Sequence, residues 1–390
     1  MQVKRDITEY LLNMAQHFPA ITLTGPRQSG KSTLCKATFP NHPYATLEAP
    51  EVRDRAQSDP HGFLGQFPDG AIIDEVQRVP DLLSYLQVMI DEDRARGRWL
   101  LTGSYNLALL SSVSQSLAGR TAVLRLLPFS WNETQQTTSV PSSIDEAILR
   151  GGYPEPLDRG IPIASWMSSY VATYIERDVR EVTAVGDLTA FQHFLTLCAG
   201  RTGQLLNFSS LAADVGITQP TAKAWLSILE TTYIAFRLSP WFKNVGKRLA
   251  KTPKLHFCDT GLACWLLGIT TVEQLRVHPL RGALFETWIV TEILKHRLNR
   301  GEIRPLYYYR DVRGTEADVL VDSGLVRTVV EIKSGRTMTE EALRATARVA
   351  DALGTEYSTK RIVIYAGDTG QQRTDVRVVP WREIHSVDWL

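Results

Sequence analysis

The chain has 390 residues, which is more than a single hydrophobic core usually serves, so we expect two or three domains. Hydrophobic residues make up 44% and charged residues 22%, the balance of a soluble globular protein, and the net charge of +1 gives no whole-chain bias toward nucleic acid. The four cysteines form no zinc or C-x-x-C pattern, and no apolar run approaches the roughly 20 residues that cross a bilayer. We therefore expect a cytoplasmic protein with no membrane partner.

The first third of the chain, to about residue 129, alternates short apolar runs with helical patterns. Strands are predicted at Ala20–Thr24, Ala71–Asp74 and Trp99–Thr102, and helices from Lys31 and over Pro80–Ala95. Strand–helix alternation of this kind indicates a parallel α/β sheet.

The middle of the chain, about residues 130–259, is predicted to be mostly helical. Residues 207–226 have the rhythm of a helix-turn-helix, with Ser and Thr at the helix starts and Gly in the turn. From about Gly282 the pattern indicates a second α/β unit. Its predicted helices are Phe285–His296 and Thr339–Leu353, and its predicted strands are Pro305–Arg310, Ala317–Asp322, Thr328–Lys333 and Arg361–Tyr365.

A phosphate-binding loop matching G-x-x-x-x-G-K-[ST] lies between the first predicted strand and helix. Its residues are Gly25, Pro26, Arg27, Gln28, Ser29, Gly30, Lys31 and Ser32. The glycines let backbone N–H groups wrap phosphates, and the helix N-terminus adds a positive field. Lys31 is expected to reach the outer phosphates of ATP, Ser32 to ligate Mg²⁺, and Thr33 to support the loop.

Two acids follow the second predicted strand. Asp74 is expected to hold Mg²⁺ through water, and Glu75 to orient or deprotonate the water that attacks ATP. The alternative is that both acids cap a strand in solvent. After the third strand, Thr102, Ser104 or Asn106 would hydrogen-bond the γ-phosphate or the water.

Arg120 lies beyond these strands, in the segment Ser116–Arg120. As a group acting on a neighbouring subunit, it would stabilise the charge of the transition state and couple hydrolysis to assembly. The alternative is an ordinary surface arginine.

The C-terminal part contains an Asp…Glu-x-Lys pattern on two predicted strands. Strand periodicity puts Glu331 and Lys333 on one face. Asp318 and Glu331, with Glu286 from the preceding helix, would bind a second Mg²⁺, and Lys333 would position or activate water. The alternative is a plain ion pair on a strand face. The order of these residues resembles the restriction-endonuclease-like superfamily, which implies that fold and a possible nuclease site.

A basic run follows the helix-turn-helix, where a winged domain places its wing. Its cations are Arg237, Lys243, Lys247, Arg248, Lys251 and Lys254, with no acid among them. Cations track phosphates and the interleaved Trp241 and Phe242 can stack on bases, so a DNA surface is expected. Its recognition helix would start near Thr218 and present Gln219, Thr221 and Lys223. The alternative is a solvated loop beside a structural helix pair.

An ordered set of motifs along nearly the whole chain resembles the bacterial and archaeal AAA-type ATPases that carry a C-terminal domain of unknown function. The motifs are Gly25–Ser32, Asp74–Pro80, Leu101–Ser104, Ser116–Arg120, Gly151–Glu155, Tyr174–Val179, Phe257–Leu262 and Gly282–Glu286. This resemblance implies nucleotide-dependent homo-oligomers, often rings.

The combined expectation is an α/β protein of four regions. These are a P-loop ATPase core at 1–129, a helical lid-like region at 130–195, a winged-helix-like region at 196–281, and a restriction-endonuclease-like α/β domain at 282–390. With ATP and Mg²⁺ as cofactors, the leading function is an oligomeric ATPase motor or switch acting on DNA. The alternatives are a nucleotide-switched assembly factor and an ATP-gated, Mg²⁺-dependent nuclease.

Overall fold

The computed structural model describes residues 3–104, 116–175, 187–244 and 251–390. The chain forms two compact units. The first contains the chain up to Phe129 and the short segments 231–233 and 298–301, and the second contains the remainder.

The described residues of the first unit form a five-stranded parallel sheet. Its strands are β1 Ala20–Thr24, β2 Tyr44–Thr46, β3 Ala71–Asp74, β4 Trp99–Gly103 and β5 Thr121–Arg125, in the spatial order β2-β3-β4-β1-β5. The helices are α1 Thr8–Ala15, α2 Lys31–Thr38, α3 Pro50–Ser58, α4 Pro60–Gly65 and α5 Leu82–Glu92, with a 3-10 turn at Val76–Arg78.

The central strands of this sheet are buried on both faces, because successive side chains point to opposite sides and helices cover each side. Ile73 and Leu101 pack with α5 residues such as Leu86. Ile72 and Leu100 pack on the other face with Leu34 and other residues of α1 and α2. The three strands and the helix from Lys31 are confirmed, while the helix predicted over Pro80–Ala95 is shorter, because Pro80 and Asp81 form a turn and the backbone is extended at Asp93.

In the second unit, most of the described helices lie in the middle of the chain, and two longer ones lie in the C-terminal part. They are α6 Trp131–Thr134, α7 Ile144–Arg150, α8 Pro154–Arg159, α9 Ile163–Tyr170, α10 Leu188–Ala199, α11 Phe208–Val215, α12 Gln219–Thr231, α13 Thr260–Leu266, α14 Val272–Val277, α15 Arg281–Leu298 and α16 Glu340–Leu353. A π-helical turn, Val171–Ile175, follows α9, and a 3-10 helix covers Trp381–Ser386.

Among the described residues, this unit also contains one nine-stranded mixed sheet. Its strands are β6 Gln204–Leu205, β7 Ala235–Pro240, β8 Lys254–Phe257, β9 Tyr307–Arg310, β10 Glu316–Asp322, β11 Val326–Lys333, β12 Ser358–Tyr365, β13 Gln371–Gln372 and β14 Arg377–Pro380. Their order is β13-β14-β12-β11-β10-β9-β7-β8-β6. The parallel pairing of β7 with β9 joins the strands that follow α12 to those of the C-terminal part. The finer division at residues 195 and 281 stays a prediction.

The helix-turn-helix pattern corresponds to α11 and α12. Asn207 caps α11 by accepting from the amides of Ser209 and Ser210, and Gly216 forms the turn with φ +80°, a value that favours glycine. The Thr218 hydroxyl accepts from the Thr221 amide at the start of α12. The antiparallel pair β7–β8 comes next in the chain. In the described ranges, no helix is long and apolar enough to cross a membrane.

Candidate functional site

The phosphate-binding loop connects β1 to α2 at the carboxyl edge of the parallel sheet. Gly25 has φ +153°, and a Cβ there would lie 2.1 Å from the Leu126 carbonyl oxygen, so no side chain fits. Gly30, with φ +89°, caps α2 in the left-handed region that glycine tolerates. The loop amides and the N-terminus of α2 are thereby placed to bind an anion.

Two buried cations organise this loop. The Lys31 ammonium donates to the carbonyl oxygens of Gly25 (3.0 Å) and Pro26 (2.8 Å), which places its charge at the loop. Arg5, which the sequence analysis missed, donates to the carbonyl oxygens of Ser29 (2.7 Å) and Leu127 (2.8 Å). Among the described residues, nothing hydrogen-bonds the buried Ser29 hydroxyl. A buried hydroxyl without a partner is costly, so this orphan fits a loop that takes a polar ligand such as a nucleotide phosphate.

Asp74, at the end of β3, is buried and receives three hydroxyl donors. Ser32 Oγ donates to its Oδ1 at 2.9 Å, and Tyr44 Oη donates to its Oδ2 at 2.6 Å. Thr102 Oγ1 donates to Oδ1 from the adjacent strand β4. Carboxylate and hydroxyl oxygens are the ligands that Mg²⁺ prefers, so Ser32 and Asp74 fit the ion. Burial, and then the bond to Asp74, raise the pKa of Tyr44, which keeps its hydroxyl a donor.

Glu75 follows Asp74 with φ +56°, a left-handed conformation that is uncommon for a residue with a side chain. Its carboxylate accepts from Ser104 Oγ at 3.0 Å and from Gln77 Nε2. A strained residue held by two donors beside a phosphate-binding loop has the placement of a functional group. Thr102 and Ser104 therefore contact Asp74 and Glu75, while Asn106 lies outside the described residues.

Arg120 lies at the opposite edge of the sheet from the loop of its own chain. Its carbonyl accepts from the amide of Ala20, the first residue of β1. Its guanidinium forms a bidentate pair with Asp91, at 2.8 and 2.7 Å. Arg120 thus takes no part in its own loop, and a role at a neighbouring subunit stays a prediction.

The residues predicted to bind a second Mg²⁺ belong to a group of acids, called the carboxylate cluster below, that surrounds a buried lysine side chain. Glu286 on α15 and Asp318 on β10 lie near the buried ammonium of Lys254 from β8, which is 3.1 Å from Glu286 and 3.8 Å from Asp318. Glu316, at 3.0 Å, is a third partner of Lys254. Asp318 also accepts from the Ile332 amide at 2.7 Å.

The Glu-x-Lys pair of β11 forms an ion pair, with Lys333 Nζ 2.5 Å from Glu331 Oε1. Within the described ranges, no group of three or more His, Cys, Asp or Glu side chains is placed to hold a metal ion. The metal site made by Glu286, Asp318 and Glu331 stays a prediction, and the structure adds that the Lys254 ammonium lies beside Glu286 and Asp318.

Glu286, Asp318 and Glu331 have raised pKa values and hold their protons more tightly than usual. Burial, and then the charge of Asp318, raise the pKa of Glu286 to about 8 and that of Glu331 to about 7. Burial opposes the charge of Lys254, but the carboxylates of Glu286, Asp318 and Glu316 outweigh it and raise the pKa of the ammonium. The cluster therefore contains a permanently charged lysine and acids that share protons near neutral pH.

Comparison with known proteins places these features in a family. Residues 17–135 match the AAA domain model, residues 141–273 match a domain of unknown function (DUF8612), and residues 281–384 match another (DUF4143). The uncharacterized proteins Rv2008c of Mycobacterium tuberculosis and Mb2031c of Mycobacterium bovis are each 31% identical over 82% of this chain and 71% of their own length. The chain belongs to the family of AAA-type ATPases with a C-terminal DUF4143 domain.

Solved structures with some similarity include the Walker-type ATPase PABY2304 of Pyrococcus abyssi. It is 15% identical, covers 68% of this chain and 96% of its own, and has a TM-score of 0.45. PCH-2 of Caenorhabditis elegans is 14% identical over 63% of this chain and 69% of its own, with a TM-score of 0.25.

Two motifs of this AAA-type ATPase meet in the structure and have a structural role. Asp259 Oδ2 accepts from the Gly152 amide at 2.7 Å, and Asp259 also caps α13. A Cβ on Gly151, which has φ +66°, would lie 2.3 Å from Asp259 Oδ1. The motifs at Gly151–Glu155 and Phe257–Leu262 therefore lock two segments 107 residues apart.

The basic run differs from the predicted DNA surface. Lys254 is buried among carboxylates, Arg237 pairs with Glu230 at 2.6 Å, and Lys243 pairs with Glu356 at 2.8 Å. Trp241 is buried and donates from Nε1 to Asp322 at 2.8 Å, so it has no face for stacking on bases. Lys251 is exposed, and Lys247 and Arg248 lie outside the described residues. Three of the six cations of this run therefore pair with acids that lie outside the run.

Proposed function

We propose that this protein binds MgATP at the loop between β1 and α2 and hydrolyses it. The observation that carries the proposal is the set of three hydroxyl donors on Asp74, at the same sheet edge as Lys31. The hydroxyls satisfy the oxygens of Asp74 but leave its negative charge uncompensated, and a divalent cation with a triphosphate is the partner that such a site suits.

Each residue of this site has a chemical task in the proposal. Ser32 and Asp74 hold Mg²⁺, which neutralises charge on the phosphates. Lys31 binds the outer phosphates and stabilises the charge of the transition state. Glu75, held by Ser104 and Gln77, orients or deprotonates the attacking water.

The first test is ATP hydrolysis by two variants. Lys31→Ala should lose ATP binding and turnover together. Glu75→Gln should bind ATP with near-normal affinity but turn it over at least roughly 100-fold more slowly, as expected for loss of a general base. The matched control is Glu92→Gln, an exposed acid at the end of α5, which should hydrolyse ATP normally. Normal turnover by Lys31→Ala would contradict the proposal.

We also propose that hydrolysis drives an action on DNA by the second unit. Support comes from the helix pair α11–α12 followed by the β7–β8 pair, the order of a winged helix, and from the exposed Gln219 and Lys223 on α12. Duplex DNA should raise the ATPase rate of the wild type. If neither duplex nor single-stranded DNA changes the ATPase rate, this part of the proposal is contradicted.

The order of helix acid, strand Asp and Glu-x-Lys supports a restriction-endonuclease-like fold for residues 282–390, and the Lys254 ammonium beside these acids favours a copy of that fold that does not cut DNA. Cleavage of plasmid DNA with Mg²⁺ or Mn²⁺ that disappears in Asp318→Ala would contradict this.

Assembly as a homo-oligomer, with a ring as one possible form, is the remaining part of the proposal, and the AAA-type domain supports it. ATP should increase the mass of Glu75→Gln in light scattering. A mass that ATP does not change would dismiss the alternative of a nucleotide-switched assembly factor, and a monomeric mass with and without ATP would contradict assembly.

A further inference from the structure

A second polar feature of the second unit lies beside the carboxylate cluster. A cavity of about 500 Å³ is lined by Asp145, Arg276, Arg281, Ser334, Gly335 and Arg336, a set called the arginine pocket below. It is formed by α7, α14, the start of α15 and the residues directly after β11. Lys333 of the Glu-x-Lys pair immediately precedes its Ser334.

The arginine pocket carries excess positive charge. Its one acid, Asp145, is buried, and Oδ1 accepts from Arg281 Nε at 2.7 Å while Oδ2 accepts from Arg276 Nε at 3.4 Å. Three guanidinium groups against one carboxylate leave a local charge of +2. Such an excess in a concave site attracts anions.

The arginines are held in place and still have donors to offer. Arg281 is fixed by Asp145 and by donation from Nη1 to the Ser334 carbonyl at 2.9 Å. Arg276 bonds Asp145 through Nε, and no other described group accepts from its terminal nitrogens. The exposed Arg336 has no hydrogen-bond or ion-pair partner among the described residues. Guanidinium groups anchored in this way match the oxygens of a phosphate group, which they bind in a bidentate fork.

We propose that the arginine pocket binds a backbone phosphate of DNA, an inference that rests on the proposed action of the protein on DNA. The pocket is open, since the Arg276 side chain is 51% exposed and Arg336 is exposed. Its lining has no aromatic side chain to stack on a base. Contacts of this kind fix the position of the duplex without reading its sequence. A strand held here passes next to Lys333 and the carboxylate cluster.

The test is binding of a fluorescent 20-base-pair duplex by the double variant Arg276→Ala/Arg336→Ala, followed by anisotropy between 50 and 200 mM salt. Arg281 is left intact because it supports the fold. Loss of this phosphate contact should lower the slope of log affinity against log salt by about 0.9, and weaken binding at low salt at least about tenfold. The matched control is Arg344→Ala/Arg348→Ala on α16, which removes the same charge from exposed ion pairs and should change affinity less than about twofold.

Two outcomes would overturn the inference. One is an equal loss in the control variant, which would mean that bulk charge attracts the DNA. Another is a wild type that binds inorganic phosphate through these arginines, measured by calorimetry, while the double variant binds duplex normally, which would make the pocket a site for small anions. If the double variant loses DNA binding in the expected way but DNA never stimulates ATP hydrolysis, the pocket stands and the proposed coupling fails.

Discussion

The two acidic sites of this protein differ in what surrounds the carboxylates. At the loop of the first unit, Asp74 is surrounded by neutral hydroxyl donors from Ser32, Tyr44 and Thr102. In the carboxylate cluster of the second unit, the buried Lys254 ammonium lies 3.0 to 3.8 Å from three carboxylates. The first site leaves a negative charge for a cation to compensate, whereas the second supplies the cation itself.

This difference distinguishes the proposed MgATP site from an acidic motif of similar appearance in the sequence. Both places present acids beside a lysine and a strand end. Hydroxyl donors orient a carboxylate without changing its charge, while an ammonium offsets the charge of one carboxylate and would compete with a metal ion. The groups around the acids therefore differ between the two sites more than the acids themselves do.

The largest effect is expected from Lys254→Met, which would remove the internal cation of the carboxylate cluster. Breaking a buried ion pair leaves uncompensated charge and costs about 3–5 kcal/mol, so the free energy of unfolding of the second unit should fall by that order. Urea denaturation at pH 8 measures it. The control is Lys333→Met, whose side chain is 40% exposed and should cost about 1 kcal/mol or less. An equal loss of unfolding free energy in the two variants would contradict the special role of Lys254 as the internal cation of the carboxylate cluster.

A somewhat smaller effect is expected from Asp74→Asn in the first unit. The amide keeps the size of the side chain but lacks the charge that Mg²⁺ needs, so turnover of ATP should fall by roughly 10²–10³, the cost of losing one electrostatic group at a reacting centre. Asp318→Asn in the carboxylate cluster should leave the rate of ATP hydrolysis in the absence of DNA unchanged. Steady-state rates across a Mg²⁺ titration measure both, and a normal rate for Asp74→Asn would exclude it from the metal site.

The loop residues and the acids at the same sheet edge could be picked out in the sequence because their signal is local. The loop residues lie within eight positions, and the acids and hydroxyls follow strands whose apolar runs are unmistakable. Arg5 and Tyr44 could not be predicted as site residues because each is a single polar residue outside any motif. The strand β2, which carries Tyr44, is only three residues long.

Lys254 belongs in the sequence to a run that indicates a basic surface, but in the structure its side chain is buried among acids. Its acidic partners are 32 to 64 residues away in the chain and become neighbours only when β8, β10 and α15 pack together. Counting charges along a segment cannot reveal ion pairs with distant strands. Trp241 was misassigned for a related reason, since only the fold shows that it is buried against Asp322.

A third prediction concerns pH. Because the pKa of Glu286 is raised to about 8 in the folded protein, the folded state retains a proton that the unfolded chain releases above its ordinary carboxyl pKa. Stability from this group is therefore complete below that ordinary value and is lost as pH rises through about 8, with a slope of at most about 1.4 kcal/mol per pH unit for one proton. Glu286→Gln should flatten the decline between pH 6 and 9.

The control for the pH prediction is Glu302→Gln. The hydrogen bond from Arg304 lowers the pKa of Glu302 to about 2, so its contribution is lost only in acid and this variant should keep the wild-type slope between pH 6 and 9. Urea unfolding at several pH values measures both variants. If the free energy of unfolding of Glu286→Gln still fell with pH as steeply as that of the wild type, groups other than Glu286 would cause the fall.

The smallest effect is expected from Tyr44→Phe, which removes one of the three hydroxyl donors on Asp74. The ring and its contact with the Lys36 ammonium, 3.4 Å from the ring centre, should remain. A single hydrogen bond contributes about 0.5–1.5 kcal/mol, so we expect a two- to tenfold loss in kcat/KM for MgATP. Tyr85→Phe is the matched control, because Tyr85 is a partly buried tyrosine on α5 that packs against the core of the same unit. Equal kinetics for the two variants would show that Ser32 and Thr102 suffice to orient Asp74, and the comparison between the two acidic sites would then rest on two donors.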